Sequence, residues 1–262
     1  MTMPPFHCYC RSTTVPYIEG ITDYEEGDTR AARNPETGKT EYVKGNLTYP
    51  EWKKQYVISE HEAIKEENIA KGGFPITKYV DTERFHKPFM GLVNPNVDET
   101  LCKQARIMLK HRNGSLYEDI VAIDARTGEV LQISNTYEKA LECGFTTQQE
   151  AILAAGPEFG TLHCHPGSSV PSSADYRGLF ERKKQTFSTV TCFNGTVYHI
   201  RKLKALSLER FDKVKEKLYS EIKKANPGTS DHGALDIALA EKIKEALLRS
   251  GHIQFVKHEM RA

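Results

Sequence analysis

Residues 161–175 read Thr-Leu-His-Cys-His-Pro-Gly-Ser-Ser-Val-Pro-Ser-Ser-Ala-Asp, with two histidines on alternate positions and an acid downstream. In an extended strand residues i and i+2 point to one face, so His163 and His165 aim both imidazoles at one point while Cys164 turns away. Ser172 fits a helix N-cap and Asp175 its third helical position, where the chain turns from strand into helix and returns a carboxylate. Zinc held by three such protein ligands keeps its fourth position for water, which distinguishes a catalytic site from a closed structural one. A metal-bound water needs a base, and the best candidate is Glu118, just before the apolar run Ile120-Val-Ala-Ile123. Metal-activated water held by a carboxylate is a standard means of attacking an amide. Asp119 is the other acid at that strand start, and either one also reads as a solvated strand-end charge. Taken alone, Ser172 and Asp175 read as a plain capping box.

Glu118, then His163-x-His165-Pro166, then Ser172-x-x-Asp175 resembles the motif of the JAB/MPN+ (JAMM) metallopeptidases, whose members include isopeptidases that remove ubiquitin-like tags. The resemblance implies Zn2+ on His163, His165 and Asp175, Glu118 as general acid/base, and Ser172 supporting the oxyanion. It also implies an α/β fold of the JAB/MPN, cytidine-deaminase-like kind, a layered mixed sheet flanked by helices. The substrate it implies is a peptide or protein, ubiquitin-like conjugates included. The stretch from Pro166 to Ser172 is one residue shorter than the commoner pattern; Ser173 keeps the usual count but breaks Ser-x-x-Asp.

A second resemblance covers roughly the first 57 residues. Pro5-Phe-His-Cys-Tyr-Cys-Arg-Ser-Thr-Thr-Val-Pro16, Gly27-Asp-Thr-Arg-Ala-Ala-Arg33 and Leu47-Thr-Tyr-Pro-Glu-Trp-Lys-Lys54 are similar to the C-terminal stretch of phage head morphogenesis (minor head) proteins. Some of these continue into a JAB-like extension. The resemblance implies phage portal and capsid proteins as partners, and a chain that is a fragment or split product of a longer head protein. It also implies a location in the cytoplasm of a bacterial host or on the virion. His7, Cys8 and Cys10 have no second cysteine pair to complete a zinc knuckle, so they read as structural or simply exposed. Trp52 reads as a packing anchor.

Composition bounds these readings. The chain has 262 residues, 39% hydrophobic and 27% charged, enough for one main domain with appendages. A net charge of +1 gives no pull toward nucleic acid or an anionic membrane. No apolar run approaches the roughly 20 residues of a membrane span. The N-terminus lacks the basic start and apolar core of a secretion signal. Cys8, Cys10, Cys102, Cys143, Cys164 and Cys192 show no paired framework, so reduced thiols are expected. A nucleobase deaminase also uses a histidine, a glutamate and activated water, but its His-x-Glu and Pro-Cys-x-x-Cys are missing around this site.

The positioning elements follow from periodicity. A helix is expected over Asp98–Lys110 and a strand over Ile120–Asp124. The turn Ala125-Arg-Thr-Gly128 leads to a second strand through Ile133, and a helix capped by Thr146 or Thr147 runs through Ala155. Gly160–His165 carries the candidate ligands, followed by a helix from Ser173 to about Gln185. Strands Phe187–Phe193 and Thr196–Lys202 join through Asn194-Gly195, a hairpin signal. Ser207–Ala225 and Asp231–Ser250 form a helical hairpin. Residues 1–90 are expected to be a loop-rich extension with short helices near 49–56 and 59–70. Residues 91–204 form the metallopeptidase-like domain and 205–262 a helical extension. Two functions follow: a zinc-dependent peptidase or isopeptidase, and a non-catalytic phage head morphogenesis or minor capsid protein with a metal-stabilised domain.

Overall fold

Five consecutive apolar or buried residues, Ile120 to Asp124, suit a strand covered on both faces, and in the computed structural model they form β3 (Ile120–Asp124), between β4 and β5 of a six-stranded sheet. The structure describes residues 29–33, 40–45, 69, 74–136, 139–167, 169–227 and 231–259. The chain divides into two compact units, residues 1–63 and 64–262. The first contains an antiparallel hairpin, β1 (Thr29–Arg33) with β2 (Thr40–Lys44), within the stretch expected to be loop-rich. The helix expected near 49–56 and, except for Ile69, the one near 59–70, together with His7, Cys8, Cys10 and Trp52, lie outside the described residues.

The second unit is mixed α/β. Besides β3 its strands are β4 (Val130–Ser134), β5 (Phe159–His165), β6 (Gln185–Cys192), β7 (Val197–Lys202) and β8 (Ile253–His258). They lie in the order β4-β3-β5-β6-β7-β8, with β5 and β6 parallel and every other neighbour antiparallel. A parallel pair needs a crossover, and α3 (Ser173–Glu181) supplies it. In such βαβ units ligands gather at the carboxyl end of the strand, here His165.

Helices cover both faces. On one, α1 (Pro95–Arg112) packs against β3 and β5 and buries Leu101, Ala105, Met108 and Leu109 among Val121, Ile123, Leu162 and Cys164. Each of these larger side chains contributes about 1.5–3 kcal/mol by leaving water. Asn94, whose Oδ1 accepts from Val97 N–H at 3.1 Å, caps α1 ahead of Pro95, so the helix starts earlier than Asp98. Asp98 instead accepts the N–H groups of Gly91 and Val93 and folds the incoming chain onto the first turn. On the other face α3 meets α4 (Leu208–Ala225) and α5 (His232–Arg249) around Tyr176, Leu179, Phe211, Leu239 and Ile243. α2 (Thr147–Ala155), capped by a Thr146–Gln149 capping box, lies against β4.

Two further expectations change. α3 ends at Glu181 rather than near Gln185, because Gln185 is the first residue of β6 and its buried amide donates to Thr161 Oγ1 at 2.7 Å. Lys202 Nζ closes the helix end by donating to the carbonyls of Leu179 and Arg182. The C-terminal segment is more than a helical pair: after Gly251, at φ +66°, β8 returns to pair with β7 at the sheet edge. Among the described residues no helix is long and apolar enough to cross a membrane.

Candidate metal centre

All seven residues of β5 are buried, so their sequence alone does not show which side each faces; the registers do. Ile120 pairs with His163 and Val121 with Leu162, while Val190 and Cys192 of β6 lie beside His163 and His165. Leu162 and Cys164 join the α1 core, which turns His163 and His165 to the face carrying α3.

The same register separates the two candidate acids. Cys164 N–H donates to the Asp119 carbonyl at 3.2 Å, carrying the β3–β5 ladder past Ile120 and bringing Glu118 opposite His165. Asp119 falls on the α1 face, where Arg112 Nε donates to its Oδ1 at 2.6 Å and His111 Nδ1 lies 2.8 Å from its Oδ2. It is 3% exposed as a side chain and committed to an ion pair that fastens α1 to the strand. Glu118, also buried, is the acid that shares a face with the histidines.

After His165 the chain turns at Gly167, with φ +73°, and re-enters a helix at Ser172. The capping box is complete: Ser172 Oγ accepts from Asp175 N–H at 3.3 Å, and Asp175 Oδ2 accepts from Ser172 N–H at 2.6 Å. Ser172 Oγ also donates to Asp175 Oδ2 at 2.9 Å, so the hydroxyl expected to support an oxyanion is engaged by the carboxylate. These bonds aim Asp175 back at the strand. His163 Nε2 lies 3.1 Å from Asp175 Oδ1, His165 Nε2 lies 3.5 Å from Oδ2, and the two Nε2 atoms are 3.0 Å apart.

That arrangement fits a cation. The ligand atoms of the three residues all lie within 4.8 Å of one another. Tetrahedral zinc with bonds of about 2.0–2.1 Å places its ligand atoms about 3.3 Å apart, close to the 3.0 Å between the two Nε2 atoms and the 3.1 Å from His163 Nε2 to Asp175 Oδ1. His165 is oriented by Ser169, whose carbonyl and Oγ lie 3.2 and 3.1 Å from its Nδ1, leaving Nε2 directed at the centre. His163 Nδ1 is buried with no partner among the described residues.

The charges respond to this crowding. Burial raises the Asp175 pKa, but His163 and His165 outweigh it and hold the carboxyl well below its usual range. Burial opposes charge on His165 too, yet Asp175 and Glu118 lift its pKa to about 9. Burial also pushes the Glu118 carboxyl above its ordinary value against the pull of His165 and His163. Cys143, which arrives on the β4–α2 connection, lies beside Glu118, and burial together with Glu118 and Asp175 drives its thiol well up.

The structure therefore brings Glu118, His163, His165, Ser172 and Asp175 to one end of the sheet, with Ser172 reaching the centre through Asp175. Sequence reasoning missed Ser169 and Cys143. Ser169 lies inside the motif's own loop and carried a weak signal, whereas nothing local marks Cys143. Compared with known proteins, the chain matches no family model, no curated protein and no solved structure.

Proposed function

We propose that the chain is a zinc-dependent hydrolase of the JAB/MPN kind, which cuts a peptide or isopeptide bond at the centre formed by His163, His165 and Asp175. The convergence of two imidazole nitrogens and one carboxylate, with the buried Glu118 carboxylate on the same sheet face, carries the reading. Zinc, when bound, supplies Lewis acidity, polarising a scissile carbonyl and making water a better acid near neutral pH. Glu118 takes the proton of the attacking water and passes it to the leaving amine, a role suited to a carboxyl whose burial makes it a stronger base. Ser169 holds His165 in place, and the Ser172 cap holds Asp175. The sequence likeness of residues 5–54 to phage head proteins supports a head-associated setting with portal or capsid partners.

The second reading is a phage head protein in which the same centre only stabilises the domain. The engagement of the Ser172 hydroxyl by Asp175 favours it, because that hydroxyl is then not free for an oxyanion. One experiment separates the two. The purified chain is assayed for zinc and for cleavage of peptide mixtures and ubiquitin-like conjugates, beside His163→Ala and Asp175→Ala. The hydrolase reading expects one zinc per chain, cleavage, and loss of both in each variant. Bound zinc without cleavage, together with co-purification of portal or capsid, selects the structural reading. Unchanged zinc content in both variants refutes the site.

A further inference from the structure

Leu141 is the one non-glycine among the described residues with positive φ, at +61°. A left-handed backbone is easy for glycine and unfavourable for leucine. Burying the side chain would offset that strain, but Leu141 is 61% exposed. Neither local conformation nor core packing therefore accounts for a leucine here. The segment is nevertheless held: Leu141 N–H donates to the Leu116 carbonyl at 2.9 Å. Two residues later Cys143 lies beside Glu118, so the segment runs along Leu116 to Glu118 and presents Leu141 at the rim of the candidate centre.

A second exposed apolar side chain stands at the same end of the sheet. Phe74 is 46% exposed, and its carbonyl accepts from Gly114 N–H at 3.1 Å. Its ring lies over Gly167, where a Cβ would sit 3.6 Å from it, on the loop joining His165 to Asp175. One apolar residue thus accompanies the strand start bearing Glu118 and the other the loop bearing the ligands.

We propose that Leu141 and Phe74 determine specificity, selecting substrates with a large apolar side chain next to the bond that is cut. The inference rests on the hydrolase reading. Exposed apolar surface beside a hydrolytic centre gains from covering by a substrate side chain, and an apolar contact of this kind discriminates by roughly tenfold or more per methylene or two.

The test uses the zinc-loaded full chain and a peptide library in which the two residues flanking the bond vary among Gly, Ala, Leu, Phe, Asp and Lys. Wild type is compared with Leu141→Gly, which suits φ +61° and so keeps the fold, and with Phe74→Ala. The wild type is expected to favour Leu or Phe over Ala in kcat/KM by about tenfold or more, and each variant to reduce that ratio by about tenfold at one flanking position. Turnover with an unchanged ratio in both variants, or a wild type indifferent to side-chain size, overturns the inference alone. Absence of turnover on every peptide by the zinc-loaded wild type overturns the hydrolase reading and the inference with it.

Discussion

Glu118 and Asp119 are adjacent acids on opposite faces of one strand, so their neutral amides have opposite expected consequences. Asp119→Asn removes the charge facing Arg112 in a pair whose side chains are 3% and 8% exposed. Breaking a buried pair by removing one partner costs about 3–5 kcal/mol, because the remaining charge stays desolvated. Asn still offers an oxygen to Arg112, and Arg112 keeps its bond to the Asn135 carbonyl at 2.7 Å, which places the loss near the lower end. At about 2–4 °C per kcal/mol for a unit of this size, Tm falls by about 6–12 °C. Zinc content and turnover of the molecules that remain folded are retained. Glu118→Gln acts the other way. The Glu118 pKa is raised on folding, so the native state loses stability as pH rises from the unfolded value toward the folded one, and the cost is fully present above it. Gln removes that cost, and Tm at neutral pH holds or rises. Turnover falls by about 10²–10⁴-fold with loss of the proton-transfer group, while zinc stays bound. The assay is three measurements on each purified variant: zinc per chain, kcat/KM on the best peptide, and thermal unfolding. If Asp119→Asn abolishes turnover at full stability while Glu118→Gln cuts normally, the face assignment drawn from the β3–β5 register is wrong.

Two further expectations concern the frame. His199 is 3% exposed, its Nδ1 lies 2.9 Å from Thr189 Oγ1, and burial, Arg201 and His258 bring its pKa from 6.5 down to about 4. The unfolded chain takes up this proton first, so stability is lost as pH falls from about 6.5 toward 4, by about 3 kcal/mol at about 1.4 per pH unit. Urea unfolding of wild type and His199→Gln at pH 7.5 and 4 measures it, and a wild-type-minus-variant difference that does not change with pH refutes it. Gly160→Ala sets a methyl group inside the van der Waals envelope of the Phe187 ring on the adjacent strand, costing at least about 2 kcal/mol in chemical denaturation with zinc content unchanged. A variant as stable as wild type would refute this contact.

What the sequence made legible was local. The His163-x-His165 alternation, the Ser172 cap and the apolar run of β3 each announce themselves within a few residues, and all three stand where periodicity expects them. The less legible parts depend on pairings distant in sequence. Glu118 and Asp119 are neighbours of like chemistry, and only the register against β5 tells which one faces the histidines. Leu141 is tied by its N–H to the Leu116 carbonyl, and Cys143, two residues on, lies beside Glu118. β8 alternates Ile253, Phe255 and Lys257 with Gln254, Val256 and His258, yet it follows a long helix and becomes evident as a strand once β7 is there to receive it. Gln185 reads as the last residue of a helix because glutamine favours helices, but its amide finds Thr161 inside the sheet and the strand claims it.

Asp175 shows why the bland and the functional readings of a motif need not compete. A capping box explains Ser172 and Asp175 completely as a helix start, and on that ground alone no ligand is required. The bonds that make the cap also determine what the carboxylate can do next. Ser172 N–H and Oγ both reach Oδ2, which fixes the carboxylate plane and leaves Oδ1 directed at His163 Nε2, 3.1 Å away. A cap with its acid turned to solvent would satisfy the helix equally well. Here the side chain is only 16% exposed, between two imidazoles, a position whose desolvation the helix start does not by itself compensate. In the proposed metal centre the cap is the outer support of the candidate ligand Asp175, in the way that carboxylates binding a metal are themselves hydrogen-bonded. On that proposal Ser172 acts on the centre through Asp175 whether or not its hydroxyl ever meets a substrate.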